Sequence, residues 1–457
     1  MKKRFGLAII FILSSVVLSP AQQQQPAAED ALIVKARAML DALNRGDFKA
    51  AAIDFDETMM NVFGPDKLAE FWKQAPNQLG AFKKQTAARR EQLGPYEIAL
   101  VTCEFEKTTL DARVVFDKAG KIAGFQFVPS LPPAKYEPPL YAEPAKFEER
   151  EVTVGSGDWA LPGTLAVPKD KGPFAALVLV HGSGPNDRDE TIGPNKPFKD
   201  MAWGLAGRGI AVLRYEKRTR VFGPKMLADP AFAASFTVKE ETIDDALEAV
   251  RLLKRMPEID GQKIFVLGHS LGGMLIPRIA ISAKDLGVAG FIIMAGLTRP
   301  LEETFLQQMT YILNLDGQLS EEDKKRLEEI KATIAKIQGL KEADVSSREK
   351  LLFAPPSYWL DLRGYDPPDL ALKVEKPMLI LQGSRDYQVI SQDFENWKKA
   401  LAARADVEFK LYPRLNHLFF EGQGIPKPDE YTLVHGSVAE YVIADIAAFI
   451  RKLTGYR

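Results

Sequence analysis

The sequence predicts two folded parts: a small α+β unit, then a larger α/β domain built on a mostly parallel, doubly wound sheet with a helical cap insertion. Three patterns carry this expectation. Helical periodicity followed by strand-like runs fills the first part. A proline-rich stretch then separates it from a region where apolar runs and helical stretches alternate, as a parallel sheet requires. Within that region one long, mostly helical block interrupts the alternation. At 457 residues the chain is long for a single core, so two domains are expected on size alone.

The N-terminus reads as a targeting segment, residues 1–21. Lys2, Lys3 and Arg4 form a basic start and Phe5 to Leu18 an apolar core. Ser19-Pro20-Ala21 then supplies small residues before the polar run Gln22 to Gln25. That apolar core falls short of the roughly 20 residues of a membrane-spanning helix, so cleavage and export to the periplasm or exterior are expected, with no stable span afterwards. No cysteine lies near the cleavage region to take a lipid. Cys103 is the chain's one cysteine, which rules out an intramolecular disulfide, and it sits among alternating apolar residues as a buried thiol.

Residues 29–130 are expected to form the accessory α+β domain, cystatin-like or NTF2-like in outline. Ala28 to Leu43 has helical spacing and stops at Asn44-Arg45-Gly46-Asp47; a second helix is expected from Pro65 to Gln85. Three strands follow at Tyr96 to Phe105, Leu110 to Phe116 and Ile122 to Val128, the last two joined by a Lys118-Ala119-Gly120 turn. No motif with a chemical mechanism occurs here. The linker, 131–147, belongs to a stretch with prolines at 129, 132, 133, 138, 139 and 144.

Residues 148–457 are the expected catalytic domain. An edge hairpin, Glu149 to Gly155 with Ala160 to Val167, opens it. Continuous apolar runs at Ala175 to Val180, Ile210 to Arg214, Ile264 to Leu267, Gly290 to Ala295, Met378 to Leu381 and Val407 to Leu411 read as buried parallel strands. Val238 to Met256, Leu271 to Ala283 and Gln392 to Ala402 read as helices between them. The cap is expected at about 297–376. In it Ser320 and Asp323 form a capping box ahead of the apolar stripe Leu327, Ile330, Ile334 and Ile337.

Chemistry centres on Phe265-Val266-Leu267-Gly268-His269-Ser270-Leu271-Gly272-Gly273. A Gly-x-Ser-x-Gly between a strand and a helix puts the serine on a strained turn, and the flanking glycines let strand and helix approach closely. Ser270 is therefore the expected nucleophile. A serine hydroxyl needs a base held by an acid. Of the four histidines, His269 lies inside the elbow, His181 in a small-residue loop after a strand, and His435 at the expected start of the last helix. His417, in Pro413-Arg414-Leu415-Asn416-His417 after a strand, is the expected base. Asp386, in Gln382-Gly383-Ser384-Arg385-Asp386 at another strand end, is the expected acid, while Asp361 and Asp366 read as turn and cap residues.

The loop His181-Gly182-Ser183-Gly184-Pro185 offers backbone donors for an oxyanion. The N–H of Leu271 is the expected partner of one from Ser183 or Gly184, the choice between those two being open. The next residues, Asn186-Asp187-Arg188-Asp189, either close on themselves through an Arg–Asp pair or contact substrate. Tyr358 and Trp359 are candidate substrate-pocket walls, although aromatics in such segments more often pack into cores.

These residues carry a resemblance. The chain from 148 onward is similar to the dienelactone-hydrolase-like branch of the α/β hydrolases, in particular exported bacterial serine esterases. The resemblance rests on His181 to Asp189, Arg214-Tyr215-Glu216-Lys217-Arg218, the elbow at Ser270 and Tyr358-Trp359-Leu360-Asp361-Leu362. It implies an α/β-hydrolase fold and carboxylesterase activity on short acyl esters, with Ser270, Asp386 and His417 as triad. Such proteins often carry a small N-terminal domain of unknown function, and residues 29–130 are similar in kind. True dienelactone hydrolases use a cysteine nucleophile, so their substrates are not implied.

The expected partner is a small-molecule acyl ester. With 60 basic and 61 acidic residues there is no field to gather nucleic acid. No metal or cofactor is expected, because no cluster has ligand spacing. Two rival readings stand: a thioesterase or peptidase with the same triad, separable by matched substrates, and a binding protein on a hydrolase scaffold, which a fluorophosphonate probe would fail to label. Oligomeric state is not legible.

Overall fold

A computed structural model describes residues 30–93, 96–130, 136–228, 230–347 and 349–455. The targeting segment lies outside these residues, as does part of the linker. The described residues fall into two compact units, one within 30–130 and one within 136–455.

The first unit packs α1 (Ala31–Asn44), α2 (Phe48–Ala51), α3 (Glu57–Phe63) and α4 (Pro65–Leu79) with an antiparallel sheet in the order β1-β2-β3-β4. Its strands are β1 (Phe82–Leu93), β2 (Tyr96–Phe105), β3 (Thr109–Phe116) and β4 (Ile122–Pro129). α1 starts where the Asp30 side chain accepts from Leu32 N at 2.9 Å, an N-cap that satisfies an otherwise orphaned donor. Leu40, Leu43, Leu68, Val101, Val114 and Phe116 form this unit's own core, and Cys103 is buried within it. Burial pushes the Cys103 thiol up to about 12, so it stays protonated.

One expectation is corrected here. The helix expected to reach Gln85 stops at Leu79, and Phe82–Leu93 is a fourth strand. Its many charged residues hid it, and they are tolerated because β1 is an edge strand paired only with β2.

The second unit contains an eight-stranded sheet in the order β12-β11-β10-β9-β7-β8-β6-β5. In chain order its elements are β5 (Phe147–Val154), β6 (Leu161–Pro168), β7 (Phe174–Val180), α5 (Pro197–Ala206), β8 (Ala211–Tyr215), α6 (Arg218–Ala228), α7 (Pro230–Ser235), α8 (Asp244–Lys254) and β9 (Ile259–His269). There follow α9 (Leu271–Ser282), β10 (Gly290–Met294), α10 (Leu301–Leu313), α11 (Glu321–Gln338), α12 (Pro356–Leu362) and α13 (Pro367–Ala371). The chain closes with β11 (Met378–Gly383), α14 (Ser391–Leu401), β12 (Val407–Tyr412), α15 (Asp429–Thr432) and α16 (Glu440–Thr454). β8, β7, β9, β10, β11 and β12 are mutually parallel, and the β5–β6 hairpin joins β8 antiparallel. Every residue of β7, β8, β10 and β11 is buried, which explains their unbroken apolar character.

From β7 the chain steps to β8 on one side and then to β9 on the other, so the direction of winding reverses between β7 and β9. Loops leaving the carboxyl ends of two such strands diverge and leave a crevice, where ligands bind in open α/β sheets. The helix expected over 238–256 begins instead as a π-helical turn, Lys239–Ile243. Helices α10 to α13 fill the expected insertion. The capping box at Ser320 and Asp323 is present, and Leu327, Ile330 and Ile334 pack with Met309 in a cluster apart from the sheet's core. Among the described residues no helix is long and apolar enough to cross a membrane.

Candidate active site

The carboxyl ends of five strands bring the candidate residues to one edge of the sheet. β9 ends at His269, and Ser270 follows with φ 55° and ψ −116°, a left-handed conformation unfavourable for any side chain. Backbone contacts hold it there: Ser270 N donates to Met294 O at 2.9 Å, and Met274 N donates back to Ser270 O at 2.9 Å. The glycines of the elbow are required by space. A Cβ on Gly268 would lie 2.2 Å from Gly272 O, and one on Gly272 would lie 2.5 Å from Val180 O. Ser270 is half-buried at the start of α9, whose N-terminus carries positive potential.

Asp386 leaves the end of β11. Its Oδ1 accepts from the backbone N–H groups of Gln388 and Val389 at 2.8 and 2.9 Å, and its Oδ2 lies 2.6 Å from His417 Nδ1. Both side chains are buried. Because a carboxylate receives it, Nδ1 carries the proton of a neutral His417, and the lone pair lies on Nε2. The two loops meet closely because β11 ends in glycine: a Cβ on Gly383 would sit 2.4 Å from Leu415 O. Asn416 Oδ1 accepts from Leu418 N and Phe420 N, which fixes the turn that carries His417.

His269 connects this turn to the elbow. Its Nε2 lies 3.0 Å from the backbone oxygen of His417, and the two imidazole centroids are 4.7 Å apart. On its other side Nδ1 meets Glu190 Oε2 at 2.8 Å. Burial drives the His269 imidazole down, but the Glu190 carboxylate outweighs it and holds His269 above its ordinary value. Glu190 is likewise pushed up by burial, yet His269 keeps it below the usual carboxylate range.

The small-residue loop after β7 lies against the serine. A Cβ on Gly182 would be 3.0 Å from Ser270 Cβ. Gly182 is held on both sides: its N–H donates to Glu190 Oε1 at 2.7 Å, and its carbonyl accepts from Lys217 Nζ at 2.7 Å and from Asn186 Nδ2 at 3.2 Å. Asn186 Nδ2 also donates to Ser183 O at 3.1 Å. In a trans peptide N–H and C=O point oppositely, so fixing these carbonyls turns the N–H groups of Ser183 and Gly184 away from Asn186. Behind Lys217, Glu241 receives its ammonium at 2.6 Å and the Tyr358 hydroxyl at 2.7 Å, all three residues being buried. Glu241 lies in the π-helical turn, a rare element that recurs at functional sites.

Several expectations are revised. Tyr358 and Trp359 are core residues, 2% and 3% exposed: the Tyr358 hydroxyl serves Glu241, and Trp359 Nε1 donates to Leu351 O and Ala354 O. They form no open pocket wall, since an indole or phenol whose polar tip is satisfied inside the protein packs like any other core ring. The run 186–189 does not close through an internal Arg–Asp pair. Arg188 reaches Glu151 and Glu216, Asp187 accepts from Thr191, and Asp189 pairs with Arg214 and Lys196. His435 precedes the last helix, which begins at Glu440, and is exposed. His181 is buried with Nε2 at 3.0 Å from Asp187 O, and burial pushes it down to about 4. Asp361 pairs with Arg278 at 2.7 Å, and Asp366 caps α13 in agreement with its reading as a cap residue.

Sequence reasoning missed Glu190, Lys217 and Glu241 as parts of the site. The signals present were the run of charge from Asp187 to Glu190 and the stretch Arg214 to Arg218 that contains Lys217. Among the described residues no cluster of His, Cys, Asp and Glu is arranged to hold a metal ion.

A parallel sheet with a serine elbow at its winding reversal defines the class of the α/β hydrolases. Residues 177–432 match the model described as "Alpha/beta hydrolase family", and this chain is a hydrolase that belongs to that family. Residues 36–125 match "Protein of unknown function (DUF3887)". The chain is 41% identical over 385 residues to Esterase EstD of Thermotoga maritima, covering 84% of this chain and 87% of that protein. It is 24% identical over 350 residues to Dipeptidyl peptidase family member 6 of Caenorhabditis elegans, covering 74% of this chain and 38% of that one. Among solved structures, the hyperthermophilic esterase from the archaeon Pyrobaculum calidifontis is 17% identical with a TM-score of 0.43, over 67% of this chain and 86% of its own.

Proposed function

We propose that the protein is a carboxylesterase that cleaves short-chain acyl esters through Ser270, His417 and Asp386. One observation carries the reading: the buried 2.6 Å contact between His417 and Asp386 lies on a turn whose backbone is bound by the residue next to Ser270. Similarity to an esterase over most of both chains supports the same substrate class.

In this mechanism His417 Nε2 takes the Ser270 proton as the hydroxyl oxygen attacks the ester carbonyl. The carbonyl oxygen becomes an oxyanion, received by the N–H of Leu271 and by the Ser183–Gly184 segment. Asp386 holds the imidazolium, which returns its proton to the departing alcohol oxygen as the C–O bond breaks. Water then attacks the acyl-serine, His417 again taking the proton, and the acid leaves with Ser270 restored. Residues 1–21 act as a cleaved export signal in this reading, and residues 29–130 as an accessory domain.

The test is hydrolysis of p-nitrophenyl acetate, butyrate and octanoate by wild type and Ser270→Ala. Wild type is expected to prefer the short esters, with Ser270→Ala inactive. A folded wild type inert on all three overturns the esterase reading, and matched thioester and amide substrates then decide among the remaining acyl transfers. Equal rates in the two proteins overturn the assignment of Ser270.

A further inference from the structure

Glu190 is an improbable residue where it stands. Its φ is 51°, a conformation that costs a non-glycine side chain of order 1 kcal/mol or more, and it is only 3% exposed. Glycine would relieve the backbone and remove a buried charge together. The position therefore favours glycine on every local ground, and what holds glutamate there is what its two oxygens do. Oε1 accepts from Gly182 N at 2.7 Å and Oε2 meets His269 Nδ1 at 2.8 Å. The next link, from His269 Nε2 to His417 O, is 3.0 Å. Both ring nitrogens of His269 lie against acceptors, Nδ1 in an ion-pair contact with the Glu190 carboxylate and Nε2 at hydrogen-bonding distance from the His417 carbonyl.

We infer that Glu190 is a positioning residue that ties the oxyanion loop to the turn bearing His417. One carboxylate fixes two parts of the site that must keep a set distance from each other: the loop that receives the oxyanion, and the backbone that carries the base. Its grip on Gly182 N–H removes that group from the set of oxyanion donors, and orients the following peptides in concert with Lys217 and Asn186 on the opposite end. Its grip on His269 sets the ring that supports the His417 carbonyl. Neither contact touches substrate. The consequence is preorganisation, which acts in the transition state more than in ground-state binding.

This inference rests on the assignment of Ser270, Asp386 and His417, so the experiment separates the two. Wild type, Ser270→Ala, Glu190→Ala, Glu190→Gln and Glu190→Gly are compared on p-nitrophenyl acetate, with active enzyme counted by fluorophosphonate titration. Glu190→Ala and Glu190→Gly are expected to lose about a hundredfold in kcat, the scale of one oxyanion contact, with KM within about threefold of wild type. Inhibition by phenylboronic acid, which forms a tetrahedral anionic adduct on the serine, should weaken in parallel. Glu190→Gln should restore most of kcat, because its amide oxygen can accept from Gly182 N while its NH2 donates to a neutral His269. A kcat per active site equal to wild type in Glu190→Ala or Glu190→Gly overturns the inference, as does a loss confined to KM. If neither variant folds, His269→Asn severs the same link from the other side, and wild-type kcat in that protein is the overturning result. Activity in Ser270→Ala would instead overturn the triad and leave the wild-type geometry of Glu190 without this role.

Discussion

At the scale of single residues, the proposed acid is the most exposed to test. Asp386 receives two backbone donors on Oδ1 and His417 on Oδ2, so Asp386→Asn keeps its volume while replacing an acceptor with a donor at one oxygen. The amide then favours the wrong imidazole tautomer, and kcat for p-nitrophenyl acetate is expected to fall by about 10³–10⁴ with little change in KM. Retention of wild-type kcat would remove Asp386 from the mechanism. The sequence points to Ser270, Asp386 and His417 as candidates because each lies at or within a few residues of the end of an apolar strand, a local signal. It gives no comparable signal for the roles of Glu190, Lys217 and Glu241, which depend on contacts with other elements. Tyr358 meets Glu241 across 117 positions, and His269 meets His417 across 148. Spacing cannot show such pairs, and a charged run such as 186–190 reads as surface until the fold buries it. Tyr358 is the instructive reversal. Its segment reads as a substrate wall in the sequence, whereas in the structure its hydroxyl braces the carboxylate behind Lys217.

At the scale of elements, the turn joining β9 to α9 depends on absent side chains. Gly272 lies where a methyl group would meet Val180 O at 2.5 Å and His181 O at 2.7 Å, both backbone atoms that cannot swing aside. Gly272→Ala is expected to force α9 away from β7, with loss of stability of about 1–3 kcal/mol for an overpacked contact and loss of fluorophosphonate labelling. Unchanged thermal midpoint and labelling would show the elbow to be more pliant than its contacts imply. Strands buried on both faces were readable from continuous apolar runs, and the insertion's α11 from its capping box and stripe. β1 was not. Its charges, in the adjacent runs Lys83-Lys84 and Arg89-Arg90-Glu91, break the strand alternation and match a solvent-exposed helix as well as an edge strand.

At the scale of the whole molecule, stability divides among the first unit's core, the core around the large sheet and the small cluster of the insertion, and buried ionisable groups tune the largest with pH. Asp200 on α5 is the clearest case. Burial pushes its carboxyl up to about 7, even though the Tyr136 hydroxyl at 2.7 Å and Val438 N at 3.0 Å favour its anion. The folded protein thus holds this proton more tightly than an unfolded aspartate does at about 3.9. Its contribution is fully present below about pH 4 and is lost as pH rises through about 7. Asp200→Asn cannot ionise, so its stability should gain on wild type between pH 4 and 8, by on the order of 4 kcal/mol at the upper end, read as a rising difference in thermal midpoint. Parallel midpoint curves for the two proteins would show that Asp200 ionises as readily folded as unfolded. No sequence pattern announces this residue, because its environment is assembled from Tyr136 and Val438, far away along the chain.

Cys103 has a practical consequence at this same scale. A chain whose one thiol is fully buried in the first unit's sheet, and stays protonated up to about pH 12, is silent toward maleimides. A single cysteine introduced on the exposed face of α11 will therefore take a fluorophore alone, in an otherwise native protein. Its emission during turnover reports directly on whether the helical insertion changes its surroundings as an ester enters and an acid leaves.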